Sequence, residues 1–223
     1  MQRKHYQREE AMGNIKLNVY MPERYKDLQM VCKTKDHKKD FMQVHEQPSM
    51  ASCFGFLELQ KQSITVKLFD EIVIDAAGQR IRTNKDNVTA DYHDAHSNGF
   101  AQKHNINIVK LTQPVYFETT EPVHFMLTQS PFYSHGFQIP SAITRYDVHA
   151  LQGNCFIYIP TDKPGQTKIN FGTPLFNLVP LSNRSLTLNY FYDDNLFATK
   201  EKSAVRPSVL MSFMKLLKYK AGL

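Results

Sequence analysis

Short runs of alternating apolar and polar residues recur along the chain, spaced roughly 8–15 residues apart, and predict β-strands. Residues 15–20, IKLNVY, and residues 63–68, SITVKL, show the alternation in its simplest form. Further runs cover residues 71–75, 79–83, 106–111, 115–119, 123–127, 143–148 and 185–192. Because each strand has an apolar face that must be covered, the pattern predicts an all-β domain: a β-sandwich, a jelly roll or a related double-stranded β-helix.

The stretch of residues 156–181, FIYIPTDKPGQTKINFGTPLFNLVPL, shows the clearest strand-and-turn pattern. Apolar runs at residues 156–159 and 175–181 flank a shorter alternating run. Turn-forming residues separate the runs, at residues 160–165 and again at residues 172–174. The pattern predicts three successive strands joined by two turns, and we expect this segment to form the centre of the fold.

The net charge of +6 is concentrated at the two ends of the chain. Lys and Arg counted against Asp and Glu give about +4 for residues 1–40, about −3 for residues 41–196 and about +5 for residues 197–223. We therefore divide the chain into a basic N-terminal arm (1–14), a β-sandwich domain (15–196) and a basic tail (197–223). Basic ends are commonly solvated, but they also suit an acidic partner, a nucleic acid or a membrane surface.

A basic amphipathic helix is predicted near the C-terminus, beginning at Pro207 and ending at Gly222. Its apolar face is formed by Val209, Leu210, Phe213, Leu216 and Leu217. Such a helix either packs against the sheet or its own oligomer, or docks into the groove of a partner or onto a membrane surface.

Residues 130–140 form a predicted loop rich in aromatic side chains. Its candidate binding residues are Phe132, Tyr133, His135 and Phe137. These rings either form a stacking platform for a base or a sugar, or close one end of the sandwich.

Two segments are polar and lack periodicity, residues 22–49 and residues 84–105, and both are predicted to be loops. A non-heme iron site needs two His and one carboxylate. The weak candidates for a metal ligand are His93, His96, His124, His135 and His149. We interpret the first two as part of a polar surface loop and the others as ordinary core histidines.

Few other residues or motifs in the sequence indicate a chemical activity. The three cysteines, Cys32, Cys53 and Cys155, are far apart and are predicted to be reduced thiols in a cytoplasmic setting. The common nucleophile, phosphate-loop, dinucleotide and zinc-protease motifs are absent from the sequence, which disfavours an enzyme, and we predict no cofactor. No apolar run approaches the length of a membrane span.

Three parts of the chain carry a resemblance to a known family. They are residues 52–54 with 63–75, then residues 130–131 with Arg145, Tyr146 and Asp147, and finally residues 172–181 closed by Arg184. Together they resemble a domain-of-unknown-function family of tailed bacteriophages, including T4-like and cyanobacterial phages. The resemblance covers about residues 50–190. It implies a phage origin and an all-β fold, and it carries over no catalytic residue; the Trp-containing N-terminal part of that family is not evident here.

The leading expectation is a non-enzymatic bacteriophage protein that acts through protein–protein contacts, in the virion, in assembly or on a host factor. Its partners would be other phage proteins, a host protein or further copies of itself, and its location the virion or the host cytoplasm. The aromatic loop and the tail helix would make the contacts. The alternatives are a metal-dependent enzyme, either a non-heme iron oxygenase or cupin-like, and a nucleic-acid-binding protein that uses the basic ends.

Overall fold

Thirteen strands and one α-helix account for most of the regular structure in the described part of the chain. The computed structural model describes residues 13–37, 61–75, 80–83, 88–92, 103–130, 136–147, 151–161 and 165–204. The strands are β1 Ile15–Met21, β2 Val31–Lys33, β3 Ile64–Lys67, β4 Ile72–Asp75, β5 Arg80–Thr83, β6 Thr89–Tyr92, β7 Ile106–Thr119, β8 His124–Gln129, β9 Ala142–Arg145, β10 Leu151–Pro160, β11 Gln166–Ile169, β12 Pro174–Pro180 and β13 Leu186–Tyr192. The helix is α1, Asp194–Ala204, and two 3-10 turns cover Glu23–Tyr25 and Thr34–His37.

The strands form three sheets. The first sheet has the order β10-β7-β1-β13, with β6 also paired to β7. The second sheet has the order β2-β3-β12-β8-β9, and the third, smaller sheet has the order β11-β4-β5. Residues of all three sheets contribute to one hydrophobic core. The prediction of an all-β sandwich domain is confirmed.

The core lies between the sheets because the strands alternate as the sequence predicts. On β1, Leu17 and Val19 point into the core. Tyr146 joins the two large sheets, since its ring lies 5.4 Å from that of Phe117 on β7 and 5.3 Å from that of Phe125 on β8. Burial raises the pKa of Tyr146 well above its usual range. This residue is therefore a packing element rather than a titrating one.

The first and last strands of the sandwich are neighbours. β1 pairs with β13 in parallel, from Ile15 opposite Leu186 to Met21 opposite Tyr192. All other strand pairs in the described residues are antiparallel. Arg184 adds to the closure by donating from Nε to the carbonyl of Gly13 at 2.7 Å and by forming a two-point ion pair with Glu121. The N-terminal arm and the tail therefore join the sandwich through adjacent strands.

The segment of residues 156–181 does form three strands, as predicted, but they belong to three different sheets. β10 lies in the first sheet, β11 pairs with β4 in the third, and β12 lies between β3 and β8 in the second. The turn at Gly172 requires its glycine, because φ there is +77°. The segment connects the layers of the fold instead of forming a hairpin.

Three local predictions need correction. Residues 106–111 and 115–119 are one continuous strand, β7, which passes through Pro114. The predicted loop of residues 84–105 contains β6. The predicted loop of residues 22–49 contains β2 and the two 3-10 turns. Each error has the same physical cause, because pairing with a distant strand overrides a weak local pattern.

The cysteine prediction can be checked at two of the three positions. Cys32 and Cys155 are buried and are not joined in a disulfide. Complete burial raises the pKa of Cys155 to about 12, so this thiol is inert as a nucleophile. Cys53 lies outside the described residues. No helix in the described part of the chain is long and apolar enough to cross a membrane.

Candidate protein-contact site at the C-terminal helix

An aromatic row crosses the outer face of the first sheet. Alternation turns Val19 and Met21 toward the core and leaves Tyr20 on the opposite face. The strand register places Tyr20 between Phe191 of β13 and Tyr116 of β7. The rings of Tyr20 and Phe191 stack with their centroids 5.0 Å apart. This face thus offers an apolar strip where a solvated sheet face would usually be polar.

Helix α1 begins at a side-chain cap. Asp193 Oδ1 accepts hydrogen bonds from the main-chain N–H groups of Asn195 at 2.8 Å and Leu196 at 2.9 Å. These satisfy two of the donors that a helix leaves unpaired at its N-terminus. Asp194 Oδ1 accepts a third bond, from the N–H of Glu23 at 3.1 Å, which joins the helix start to the turn that follows β1.

The helix packs its first turn onto the aromatic row. Leu196 and Phe197 pack against Tyr20 and Tyr116, and the rings of Phe197 and Tyr116 lie 5.2 Å apart. Tyr116 is only 1% exposed, so its ring is fully covered. The helix also contacts β10. It starts beside β13 and lies across β1 and β7, so it covers the middle of the sheet.

A polar triangle secures the second half of the helix. Lys200 Nζ lies 2.8 Å from Glu118 Oε2, and Tyr20 donates from its hydroxyl to the same oxygen at 2.6 Å. The Lys200 ammonium also sits 4.5 Å from the centroid of the Tyr20 ring. One lysine of α1 is therefore held by a carboxylate and an aromatic ring of the sheet.

The ionisation of the triangle follows from these contacts. Burial disfavours the charged form of Glu118, but hydrogen bonds from Lys200 and Tyr20 outweigh it and hold the pKa of the carboxyl below its usual value. Burial, followed by the hydrogen bond to Glu118, raises the pKa of Tyr20. Burial would lower the pKa of Lys200, but its bond to Glu118 raises it. At neutral pH the triangle is a closed ion pair with a neutral phenol, an arrangement that fixes position and does not transfer protons.

The aromatic loop is described only in part. Phe132, Tyr133 and His135 lie outside the described residues. Phe137 belongs to the hydrophobic core and is 4% exposed. Phe137 therefore offers no open ring to a base or a sugar, and the binding role of the other three residues of the loop stays a prediction.

Most candidate metal ligands also lie outside the described residues: His93, His96, His135 and His149. His124 is exposed at the start of β8, where it pairs in register with Arg145, so its interpretation as a core histidine is wrong. Arg145 in turn forms a two-point ion pair with Asp147 and so holds the pKa of that carboxyl below its usual range. Within the described ranges, no group of three His, Cys, Asp or Glu side chains converges on one point.

The predicted apolar face of the tail helix, Val209, Leu210, Phe213, Leu216 and Leu217, lies outside the described residues. The sequence analysis missed α1 itself and its contacts with Tyr20, Tyr116 and Glu118. Two signals were present. Asp193 and Asp194 precede Leu196 as helix caps do, and Tyr20 is an aromatic residue on the polar face of an alternating strand.

In comparisons with known proteins, no family model and no curated protein matches this sequence. The resemblance of residues 50–190 to a bacteriophage family therefore stays a prediction.

Proposed function

We propose that this chain is a non-enzymatic bacteriophage protein that acts through protein–protein contacts, in the virion, in assembly or on a host factor. The observation that supports this role most is the docking of α1 across the outer face of the first sheet. The helix fixes the position of Ala204, the residue that precedes residues 205–223. The phage origin rests on the sequence resemblance.

The chemistry of residues 205–223 suits a protein partner. The segment contains Arg206, Lys215, Lys218 and Lys220 and has no acidic residue. The predicted helix has one apolar face, formed by Val209, Leu210, Phe213, Leu216 and Leu217, as required for a helix that lies in a groove. A groove with an acidic rim would complement both features. The partner would be another phage protein or a host protein, in the virion or the host cytoplasm.

Anchoring by α1 would raise the affinity of the segment for its partner without adding contacts between them. A segment attached to a rigid body at a fixed point loses less freedom on binding than a free peptide. The contacts of Phe197 with Tyr116 and of Lys200 with Glu118 provide that fixed point. Such a role would account for the two kinds of contact that attach α1, a helix with little apolar surface, to the sheet: the ring of Phe197 and the charge of Lys200.

Affinity capture from infected host cells tests the role of the tail. The matched pair of variants is Phe213→Asp, on the predicted apolar face, and Ser208→Asp, on the opposite face. Both add one negative charge, and Phe213→Asp also removes an apolar ring from the predicted contact face. We expect the full chain and Ser208→Asp to retain the same stoichiometric partner, and Phe213→Asp and a chain ending at Ala204 to lose it. Equal capture by the full chain and by the chain ending at Ala204 would overturn the proposal.

A further inference from the structure

The edge strand β9 carries the most exposed large apolar side chain of the described residues. Ile143 is 66% exposed, more than any other large hydrophobic residue in the described chain. Within the described residues, β9 pairs with β8 alone and forms the end of the sheet. An uncovered edge strand with an exposed β-branched residue can pair with another strand, and natural proteins usually block such edges.

Two hydrogen bonds show which way the main chain of β8 points. Leu181 donates its N–H to the carbonyl of His124 at 2.8 Å, and Ser130 donates its N–H to the carbonyl of Leu175 at 3.1 Å. Both bonds join even-numbered residues of the β8 segment to the β12 segment. Because main-chain groups alternate in direction along a strand, the odd-numbered residues of β8 point toward β9.

The same alternation identifies the free groups of β9. The odd-numbered residues Phe125 and Leu127 stand opposite Thr144 and Ala142, which therefore direct their N–H and C=O groups inward to β8. Ile143, between them, directs its N–H and C=O outward. So do Ser141 and Arg145, two residues to either side.

The free edge has defined ends and is symmetric about Ile143. On one side, Ile139, two residues before Ser141, already donates its N–H to Gln129 Oε1 at 3.1 Å. On the other side, β9 ends at Arg145, and the carbonyl of Tyr146 accepts the N–H of Thr119 at 2.9 Å. Among the described residues, the unpaired edge therefore runs over residues 141–145, with Ile143 at its centre.

We propose that a second copy of this chain pairs with this edge, antiparallel, with Ile143 of each copy on a two-fold axis. In that register Ile143 meets Ile143, and Ser141 of each copy meets Arg145 of the other, giving about six main-chain hydrogen bonds. The apolar row of Val179, Met126 and Ile143 on the outer face then continues into the second copy. A self-complementary patch of this kind is what a two-fold dimer requires.

Charge is compatible with this pairing. Arg145, the one charged residue of the paired edge, stands opposite a serine and is neutralised by its own Asp147. No like charges face each other across the axis. The contact is limited to one short strand and one side-chain row, so we expect a weak dimer with a dissociation constant in the micromolar range, on the order of 10 µM.

Analytical ultracentrifugation over a range of concentrations tests the proposal. We expect the full chain to shift from a species of 25.8 kDa to one of twice that mass as concentration rises. Ile143→Lys should abolish the shift, because two like charges would meet on the axis. Phe171→Lys is the matched control: it places the same charge at a residue 47% exposed, in the turn between β11 and β12, and should leave dimerisation unchanged.

A charge-swap mixture tests the register itself. Ile143→Glu alone should be monomeric, and an equimolar mixture of Ile143→Glu and Ile143→Lys should recover a dimer. If Ile143→Glu alone dimerises, Ile143 does not meet itself and the proposed axis is wrong. A wild-type chain that stays monomeric to about 1 mM, or an Ile143→Lys variant that dimerises as the wild type does, would overturn the proposal altogether.

This dimer does not depend on the proposed role of the tail. A chain ending at Ala204 keeps β9 and should dimerise as the full chain does. Loss of partner capture with retained dimerisation, or the reverse, therefore separates the two proposals.

Discussion

A single glycine allows β7 and β10 to pair around a proline. The register of the two strands shifts between Gln152 and Asn154, opposite the part of β7 that contains Pro114. On its other edge, β7 pairs with β6 over residues 109–112 and with β1 over residues 116–119. Pro114 lies between these pairings, so no ladder needs the N–H that proline lacks.

Gly153 lies at this shift in register, and its site has no room for a side chain. A Cβ atom there would lie 2.5 Å from Val115 Cγ1 and 3.2 Å from Phe117 Cε2, both of which belong to well-packed core residues. We predict that Gly153→Ala lowers the free energy of unfolding by about 1–3 kcal/mol, as overpacking does in a filled core. Urea denaturation measures the change.

The control is Gly136→Ala, because nothing in the described part of the chain lies within 4 Å of the Cβ that it would add. It should change the free energy of unfolding by less than about 0.5 kcal/mol. The effect of Gly153→Ala should also shrink in a Val115→Ala background, which removes the clashing methyl groups. An unchanged effect in that background would show that the strain at Gly153 has another source.

At the scale of elements, α1 is the one described helix that the sequence analysis did not foresee, and its role depends on how firmly it docks. Strands were predictable from the alternation of residues such as Ile64 and Val66, which is a local property. The docking of Lys200 on Glu118 and Tyr20 joins three separate parts of the chain. The residue pattern within any one segment cannot predict such a contact.

We predict that Lys200→Ala loosens the helix without unfolding the sandwich. The ion pair and the cation–π contact lie in a partly buried site, so their loss should cost about 1–2 kcal/mol of docking free energy. Hydrogen exchange at the amides of α1 should then quicken about tenfold while exchange in β7 stays unchanged. Lys202→Ala, at an exposed position two residues further on, is the matched control and should leave exchange in α1 unchanged.

The difference in α1 hydrogen exchange between wild type and Lys200→Ala should decrease as the pH is lowered. Glu118 has a folded-state pKa below its ordinary value of 4.5, so its contribution is complete above about pH 4.5 and is lost as pH falls through the lowered value. After correction for intrinsic exchange rates, the difference between the two proteins should shrink in acid to the part that the contact of Lys200 with the Tyr20 ring contributes. A difference that does not shrink in acid would show that the Glu118 carboxylate adds nothing to the docking of Lys200.

At the scale of the whole molecule, the sandwich was predictable from the sequence. The pairing partners that assemble its sheets were not. Strand patterns and the turn at Gly172 predicted the elements of residues 156–181 correctly. Their separation into three sheets depends on pairing partners far away in the chain, such as Ile64 opposite Leu178. The parallel pairing of β1 with β13 is equally non-local, and it brings Ile15 beside Leu186.

The candidate site shows the same limit. Tyr20, Tyr116 and Phe191 are separate aromatic residues in the sequence and become one row only when β1, β7 and β13 assemble. The predicted candidates were chosen for their residue type within single segments. Phe137 shows why this fails, since an aromatic residue in a loop can serve the core as well as a partner.

We propose that α1 anchors the segment of residues 205–223 for binding to a protein partner, and the affinity for that partner tests this role. Isothermal titration of the purified captured protein should give full affinity with the intact chain. The chain ending at Ala204 should bind at least about 100-fold more weakly, and Phe197→Ala about tenfold more weakly because the tail would lose its anchor. Equal affinity for the intact chain and the chain ending at Ala204 would contradict the account.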